Sequence, residues 1–140
     1  MRENKINKTL EQVIVKTVSA FLNTETVGTL LIGVDDKGNV VGLDHDFKTL
    51  GKKQNHDGYE NWLTTLLLGQ FGKDCSPLIS ITFHNVDGKG LCQVAVKPSP
   101  KPAFVKEENG DEHLYIRAGN STRQLTTKEA IEYNKNRWRG

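Results

Sequence analysis

The chain has 140 residues, 36% apolar and 26% charged, with 19 Lys and Arg against 17 Asp and Glu for a formal charge of +2. That balance excludes a disordered polyelectrolyte and a clamp for nucleic acid built on net positive charge, and the length suits a single domain, residues 1–140, with one core. No apolar run reaches the length of a membrane span, and Cys75 and Cys92 have no second Cys or His at metal-finger spacing, so a reduced, cytoplasmic protein without a membrane partner is expected.

Residues 8 to 23, KTLEQVIVKTVSAFLN, place Leu10, Val13, Ile14, Thr17, Val18 and Phe21 on one helical face and Glu11, Gln12, Lys16 and Ser19 elsewhere, which predicts an amphipathic helix. GTLLIGV is then of strand length, ends in the turn residues DDKGN, and is followed by VVGL, which can return antiparallel beside it. After a polar excursion, YENWLTTLLLGQF restores the helical period through Tyr59, Trp62, Leu63, Leu66, Leu67 and Gln70, toward an end near Gly69 or Gly72.

From SPLISITFHNV the period becomes two, with Ile79, Ile81 and Phe83 opposed to Ser80, Thr82 and His84; DGKG turns the chain into a partner strand, LCQVAVKP. PSPKP, residues 98 to 102, is an extended connector, because proline fixes φ and lacks a backbone donor. HLYIRAG reads as a further strand, with Leu114 and Ile116 on one face and Tyr115 and Arg117 on the other. Thr126 stands three residues before Glu129, the capping-box spacing, and predicts a closing helix. This order predicts an α+β domain: a single mixed or antiparallel sheet with about three helices packed on it.

Two groups of residues carry candidate chemistry. Asp35, Asp36, Asp44 and Asp46, with His45 between them and His56 and Asp57 further on, could supply oxygens to a divalent cation, or could make turns in which Asp and Asn bond their own backbone. Turn chemistry favours the second reading, and the glycines Gly28, Gly33, Gly38 and Gly42 follow no strand-loop-helix order of a phosphate loop. In YIRAGNSTRQLT, Arg117, Asn120, Ser121, Thr122 and Arg123 are group types that grip phosphate oxygens, with Lys97, Lys101 and Lys106 just before and Arg137 and Arg139 at the end of the last helix. An ordinary solvated loop is the alternative. Neither cysteine has a nearby His, and Trp62 and Trp138 sit at helical spacing with apolar residues, as core side chains do.

Taken in order, AFLNTE, GTLLIGVDDKGNVVGLDHD, HDGYENWL and YIRAGNSTRQLTTKEAIEY resemble the Schlafen/AlbA-2 family, over about residues 10 to 138. The resemblance implies a compact α+β domain to which DNA binding is ascribed, often found beside divergent ATPase segments. In Schlafen proteins with nuclease activity it further implies a three-carboxylate metal site cutting structured RNA. By position, one of those carboxylates falls on Asp36, with Asp35 as the neighbouring choice. The other two are glutamates in a strand ahead of the first helix; Glu3 and Glu11 do not stand in that context, so the set is incomplete and a longer native chain is the matching expectation.

Three functions are therefore expected in order. The first is a nucleic-acid-binding domain, for DNA or tRNA-like RNA, of a prokaryotic regulator or defence protein, requiring no cofactor and contacting phosphates through Arg117, Asn120, Ser121, Thr122, Arg123, Lys97 and Lys101. The second is an endoribonuclease using Mg²⁺ or Mn²⁺ at Asp35 and Asp36. The third, motivated by the near-neutral charge, is an interaction or homo-oligomerisation module.

Overall fold

The computed structural model describes residues 2–33 and 56–138, so the VVGL return strand, the DDKGN turn and the excursion before residue 56 lie outside the described residues. The elements are α1 (Arg2–Asn23), β1 (Gly28–Ile32), α2 (His56–Phe71), a 3-10 turn (Lys73–Leu78), β2 (Ile79–Val86), β3 (Lys89–Val96), β4 (Phe104–Lys106), β5 (Glu112–Ala118), β6 (Ser121–Gln124) and α3 (Thr127–Arg137). The α+β class follows the expectation. The strands, however, are divided between two antiparallel three-stranded sheets, ordered β1-β3-β2 and β4-β5-β6.

The proline connector explains the division. Pro98, Pro100 and Pro102 cannot extend a ladder, and the chain between β3 and β4 instead crosses the end of α1, where the Ser99 amide donates to the Leu22 carbonyl at 2.7 Å. The strands that follow therefore pack against a different stripe of the same helix. Ile14, Val18, Phe21 and Leu22 join Ile32, Tyr59, Leu63, Leu67, Cys92, Val94 and Val96 in the main core beneath the first sheet. Val15 and Ala20 pack with Val105 and Tyr115 of the second.

A helix held between two sheets buries more than one face. Ser19 and Asn23 are fully buried, while Val13, expected on the core face, is 55% exposed. Val15, Ser19 and Asn23 are spaced at i, i+4 and i+8, one polar-edged stripe aimed at the second sheet. The Ser19 hydroxyl donates to the Ala103 carbonyl at 2.8 Å. The helix also begins at Arg2, not near residue 8; its first turns are polar and carry no apolar period by which the sequence could show them.

Elsewhere local chemistry sets the boundaries. Gly72, just past α2, has φ 90°, a conformation open to glycine, and its amide donates to the Leu68 carbonyl at 2.8 Å. Asp87 and Gly88, at φ 53° and 81°, turn β2 into β3 with Val86 opposite Lys89, the double positive φ of a type I′ hairpin. Trp62 packs at the core margin edge-to-face with Tyr59, ring centroids 5.1 Å apart, and its ring N–H donates to Glu11 Oε2 at 3.0 Å. Among the described residues no helix is long and apolar enough to cross a membrane.

Asn23 joins the halves. Its side-chain amide donates to the carbonyls of Ala103 (3.1 Å) and Tyr115 (2.8 Å), and its Oδ1 accepts from the Ala103 amide at 2.8 Å. Its backbone carbonyl accepts from the Tyr133 hydroxyl at 2.6 Å and from Arg137 Nε at 3.0 Å. Arg137 also donates to the carbonyls of Thr24 (2.9 Å) and Ser99 (3.0 Å) and lies 4.7 Å from the Trp138 ring. It is thus a cap on the C-terminal carbonyls of α1, where a cation is favoured. Trp138 adds its own ring N–H to Ser99 at 2.9 Å.

Three outcomes follow from this packing. Asn23→Ala, which orphans buried groups on two segments, should lower unfolding free energy by about 2–4 kcal/mol, measured by urea titration. Asn23→Asp keeps the shape but faces a carboxylate toward two carbonyl oxygens, and should cost at least as much at neutral pH. A Cβ at Gly28 would run into the buried Phe21 ring, so Gly28→Ala should cost about 1–3 kcal/mol; an unchanged urea midpoint would contradict the packing.

Alkaline pH should also destabilise the fold. Burial first, then Glu60, pushes the Cys92 thiol up to about 12 from 9.0. Burial first, then the Glu107 charge, pushes the Tyr115 hydroxyl up to about 12 from 10.0. Both groups hold their protons more tightly folded than unfolded, so their contribution is complete below the unfolded values and is lost as pH rises through that window. The urea midpoint should fall progressively from about pH 9 upward, and native Cys92 should resist alkylation at neutral pH.

Candidate nucleic-acid interface

The segment YIRAGNSTRQ, read as a strand and a loop, forms a two-stranded ribbon. Tyr115 pairs with Gln124, Ile116 with Arg123, Arg117 with Thr122 and Ala118 with Ser121, leaving Gly119 and Asn120 as a two-residue turn. Gly119 has φ 65°, as the first position of a type II′ turn requires. The polar composition of Ser121–Gln124 hid β6 in the sequence, because the strand owes its existence to this turn and to its partner, not to an apolar alternation.

Directly opposed residues share a face of an antiparallel pair. Arg117, Thr122, Tyr115 and Gln124 therefore lie on one face of the ribbon, and Arg123, Ile116, Ser121 and Ala118 on the other. The two guanidinium groups, six residues apart in the chain, are on opposite faces. They cannot act as one fork on one phosphate.

The first face is turned to α1. Lys16 Nζ lies 5.6 Å from the centre of the Tyr115 ring and the Arg117 guanidinium 5.3 Å from that of Phe21. Arg117 also reaches the tip, donating from Nη1 to Thr122 Oγ1 at 2.7 Å and from Nη2 to the Asn120 carbonyl at 2.9 Å. These bonds use two of the five N–H donors of a guanidinium. The Tyr115 hydroxyl sits 3.2 Å from Glu107 Oε2 and 3.3 Å from Gln124 Oε1, and His113 Nδ1 approaches the same Glu107 oxygen at 3.4 Å, which ties the loop after β4 to the base of the ribbon.

The second face is exposed toward the tip, with Ile116 half-buried nearer its base. Asn120, Ser121 and Arg123 are exposed, with the Ser121 hydroxyl donating locally to the Ala118 carbonyl at 3.1 Å. Arg123 Nη2 donates to Glu129 Oε2. The other oxygen of that carboxylate, Oε1, accepts from the Thr126 amide at 2.9 Å while the Glu129 amide donates to Thr126 Oγ1 at 3.2 Å, completing the capping box expected from the sequence. The Thr126 amide first, and Arg123 second, hold the Glu129 carboxyl below its ordinary range.

The remaining basic residues fall elsewhere. Lys97 is exposed directly after β3, and Lys101 pairs at 3.7 Å with Asp74 of the 3-10 turn, not with the ribbon. Arg137 holds the end of α1. Asp35, Asp36, Asp44, Asp46, His45 and Arg139 lie outside the described residues. Among the described residues no three His, Cys, Asp or Glu side chains gather to hold a metal ion. Cys75 and Cys92 are both buried free thiols, Cys75 raised by burial as Cys92 is.

Among solved structures, the DIP2311 protein from Corynebacterium diphtheriae has a similar fold, with a TM-score of 0.61 at 20% identity over 91% of this chain and 22% of that one. The chain thus matches under a quarter of that protein's length, and at this identity the likeness concerns the fold. No curated protein matches the sequence. The model of the family described as Schlafen, AlbA_2 matches residues 1–126, a span that takes in α1, both sheets and the whole ribbon and stops at the Thr126 cap of α3. On that match the chain belongs to the Schlafen, AlbA_2 family.

Proposed function

We propose that this chain is a nucleic-acid-binding domain that contacts backbone phosphates through the β5–β6 ribbon. The observation that carries the reading is the division of the ribbon into a face locked on α1 and a face left open, with Asn120, Ser121 and Arg123 exposed at the tip and outer side. A preorganised tip loses little freedom when it meets a ligand. Membership in the Schlafen, AlbA_2 family supports the same reading.

The residues divide by role. Asn120, Ser121, the turn amides and Arg123 make the contacts; such groups position a protein on the phosphate backbone and carry no base preference of their own. Thr122 and Arg117 shape the tip from the inner face, and the unused donors of Arg117 add to the contact. Lys97 and Lys101, both exposed and neither joined to the ribbon, add only such attraction as screening over roughly a Debye length of 8–10 Å leaves, that of Lys101 being shared with Asp74. A formal charge of +2 makes the binding local, not global, so affinity should depend on a few side chains.

Fluorescence anisotropy against labelled duplex DNA and a labelled tRNA, each across a salt series, tests the proposal. Arg123→Ala should weaken binding, flatten the slope of log affinity against log salt by about 0.7–0.9, and leave the urea midpoint nearly unchanged. Arg117→Ala should weaken binding and also lower stability by about 1–2 kcal/mol, through loss of the Phe21 contact and two hydrogen bonds. Salt-independent or absent binding to both ligands would reject the reading. Incubating the tRNA with Mn²⁺ or Mg²⁺ and running a denaturing gel tests the nuclease alternative that Asp35 and Asp36 would serve.

A further inference from the structure

Arg123 and Glu129 differ in how firmly they are held. The Glu129 carboxylate is fixed at the start of α3, one oxygen on the Thr126 amide and the other on Arg123, with its own amide returned to Thr126 Oγ1. Arg123 reaches it from β6 on a long stem, and the two side chains are 50% and 41% exposed. The acid has a second anchor on the Thr126 amide, and the half-exposed guanidinium meets it from the neighbouring strand. A carboxylate and the non-ester oxygens of a phosphodiester offer a guanidinium the same kind of anionic edge.

We infer that Glu129 is an internal competitor for Arg123: it occupies the guanidinium in the free protein and must be exchanged for a nucleic-acid phosphate on binding. This inference rests on the phosphate-contact reading of the ribbon and assigns that site its affinity control. Exchange leaves the Glu129 carboxylate beside the incoming phosphate, both drawn to the N-terminus of α3 and repelling each other. A half-exposed ion pair is a weak competitor, so it tunes affinity without closing the site. It also gives the capping box a second role: the bonds that start α3 hold the competing carboxylate in place.

Glu129→Gln isolates the effect, because glutamine still fits the capping box and keeps a side-chain oxygen for the Thr126 amide. The test compares the wild type, Glu129→Gln, Arg123→Ala and the double variant by anisotropy with labelled duplex DNA and tRNA at fixed low salt and at a temperature where circular dichroism shows each protein fully folded with the same helix content. Glu129→Gln should bind about two- to fivefold tighter. On the Arg123→Ala background the same substitution should gain clearly less, since the guanidinium it frees is gone and only the repulsion between carboxylate and phosphate is relieved. An equal gain on both backgrounds would show a general loss of negative charge and overturn the competition, as would unchanged affinity of Glu129→Gln alone. If Arg123→Ala binds like the wild type, the assignment of Arg123 to phosphate fails and the competition with it. If none of the four proteins binds, the proposed function itself is rejected.

Discussion

One buried amide, Asn23, holds the two halves of this domain in register. It terminates α1, and its side chain closes on both hydrogen-bonding groups of Ala103 and on the Tyr115 carbonyl, so the orientation of its oxygen and nitrogen is dictated by its partners. Its own carbonyl receives Tyr133 and Arg137 from α3. Four separate stretches of chain thus meet at one residue: the first helix, the proline connector, the central strand of the second sheet and the last helix. Among the described residues every buried side-chain polar atom has a partner, which is the condition under which such a polar centre specifies a fold instead of weakening it.

The ribbon depends on that centre. β5 is attached to α1 through the Tyr115 carbonyl at its middle and through Arg117 on the Phe21 ring near its end, so the hairpin has a fixed base from which to project. Phe21 in turn needs the bare backbone of Gly28, whose strand belongs to the other sheet. The shape of the tip is therefore set by contacts that cross both sheets, although none of its own residues is in the main core.

The same arrangement sorts the basic residues by neighbourhood. Arg137 caps α1, Lys101 meets Asp74, Arg117 braces the ribbon tip, and Arg123 is shared with the acid that begins α3. Sequence proximity suggested one basic cluster; the strand pairing separates Arg117 from Arg123, and the helix end absorbs Arg137. A domain of near-zero net charge can still present a phosphate-sized contact, because what matters locally is which cations lack a buried structural task.

Local patterns of spacing, turn and cap residues determined much of the fold. The apolar spacing of α2, the alternation of Ile79, Ile81 and Phe83, the Asp87–Gly88 turn and the Thr126–Glu129 capping box are local patterns, each enforced within a few residues of itself, and each is found where the sequence places it. The motifs YIRAGNST and LLIGVDD also carried the family resemblance that the match over residues 1–126 bears out. Tertiary structure decided what depends on distant partners: the division into two sheets, the burial of Asn23 and of Ser19, which its spacing set off the apolar face, the existence of β4 and β6, and the opposite faces of Arg117 and Arg123. A polar side chain such as Asn23 announces nothing by itself, because its meaning lies in the Ala103 and Tyr115 carbonyls, 80 and 92 residues away, that only the folded chain brings to it.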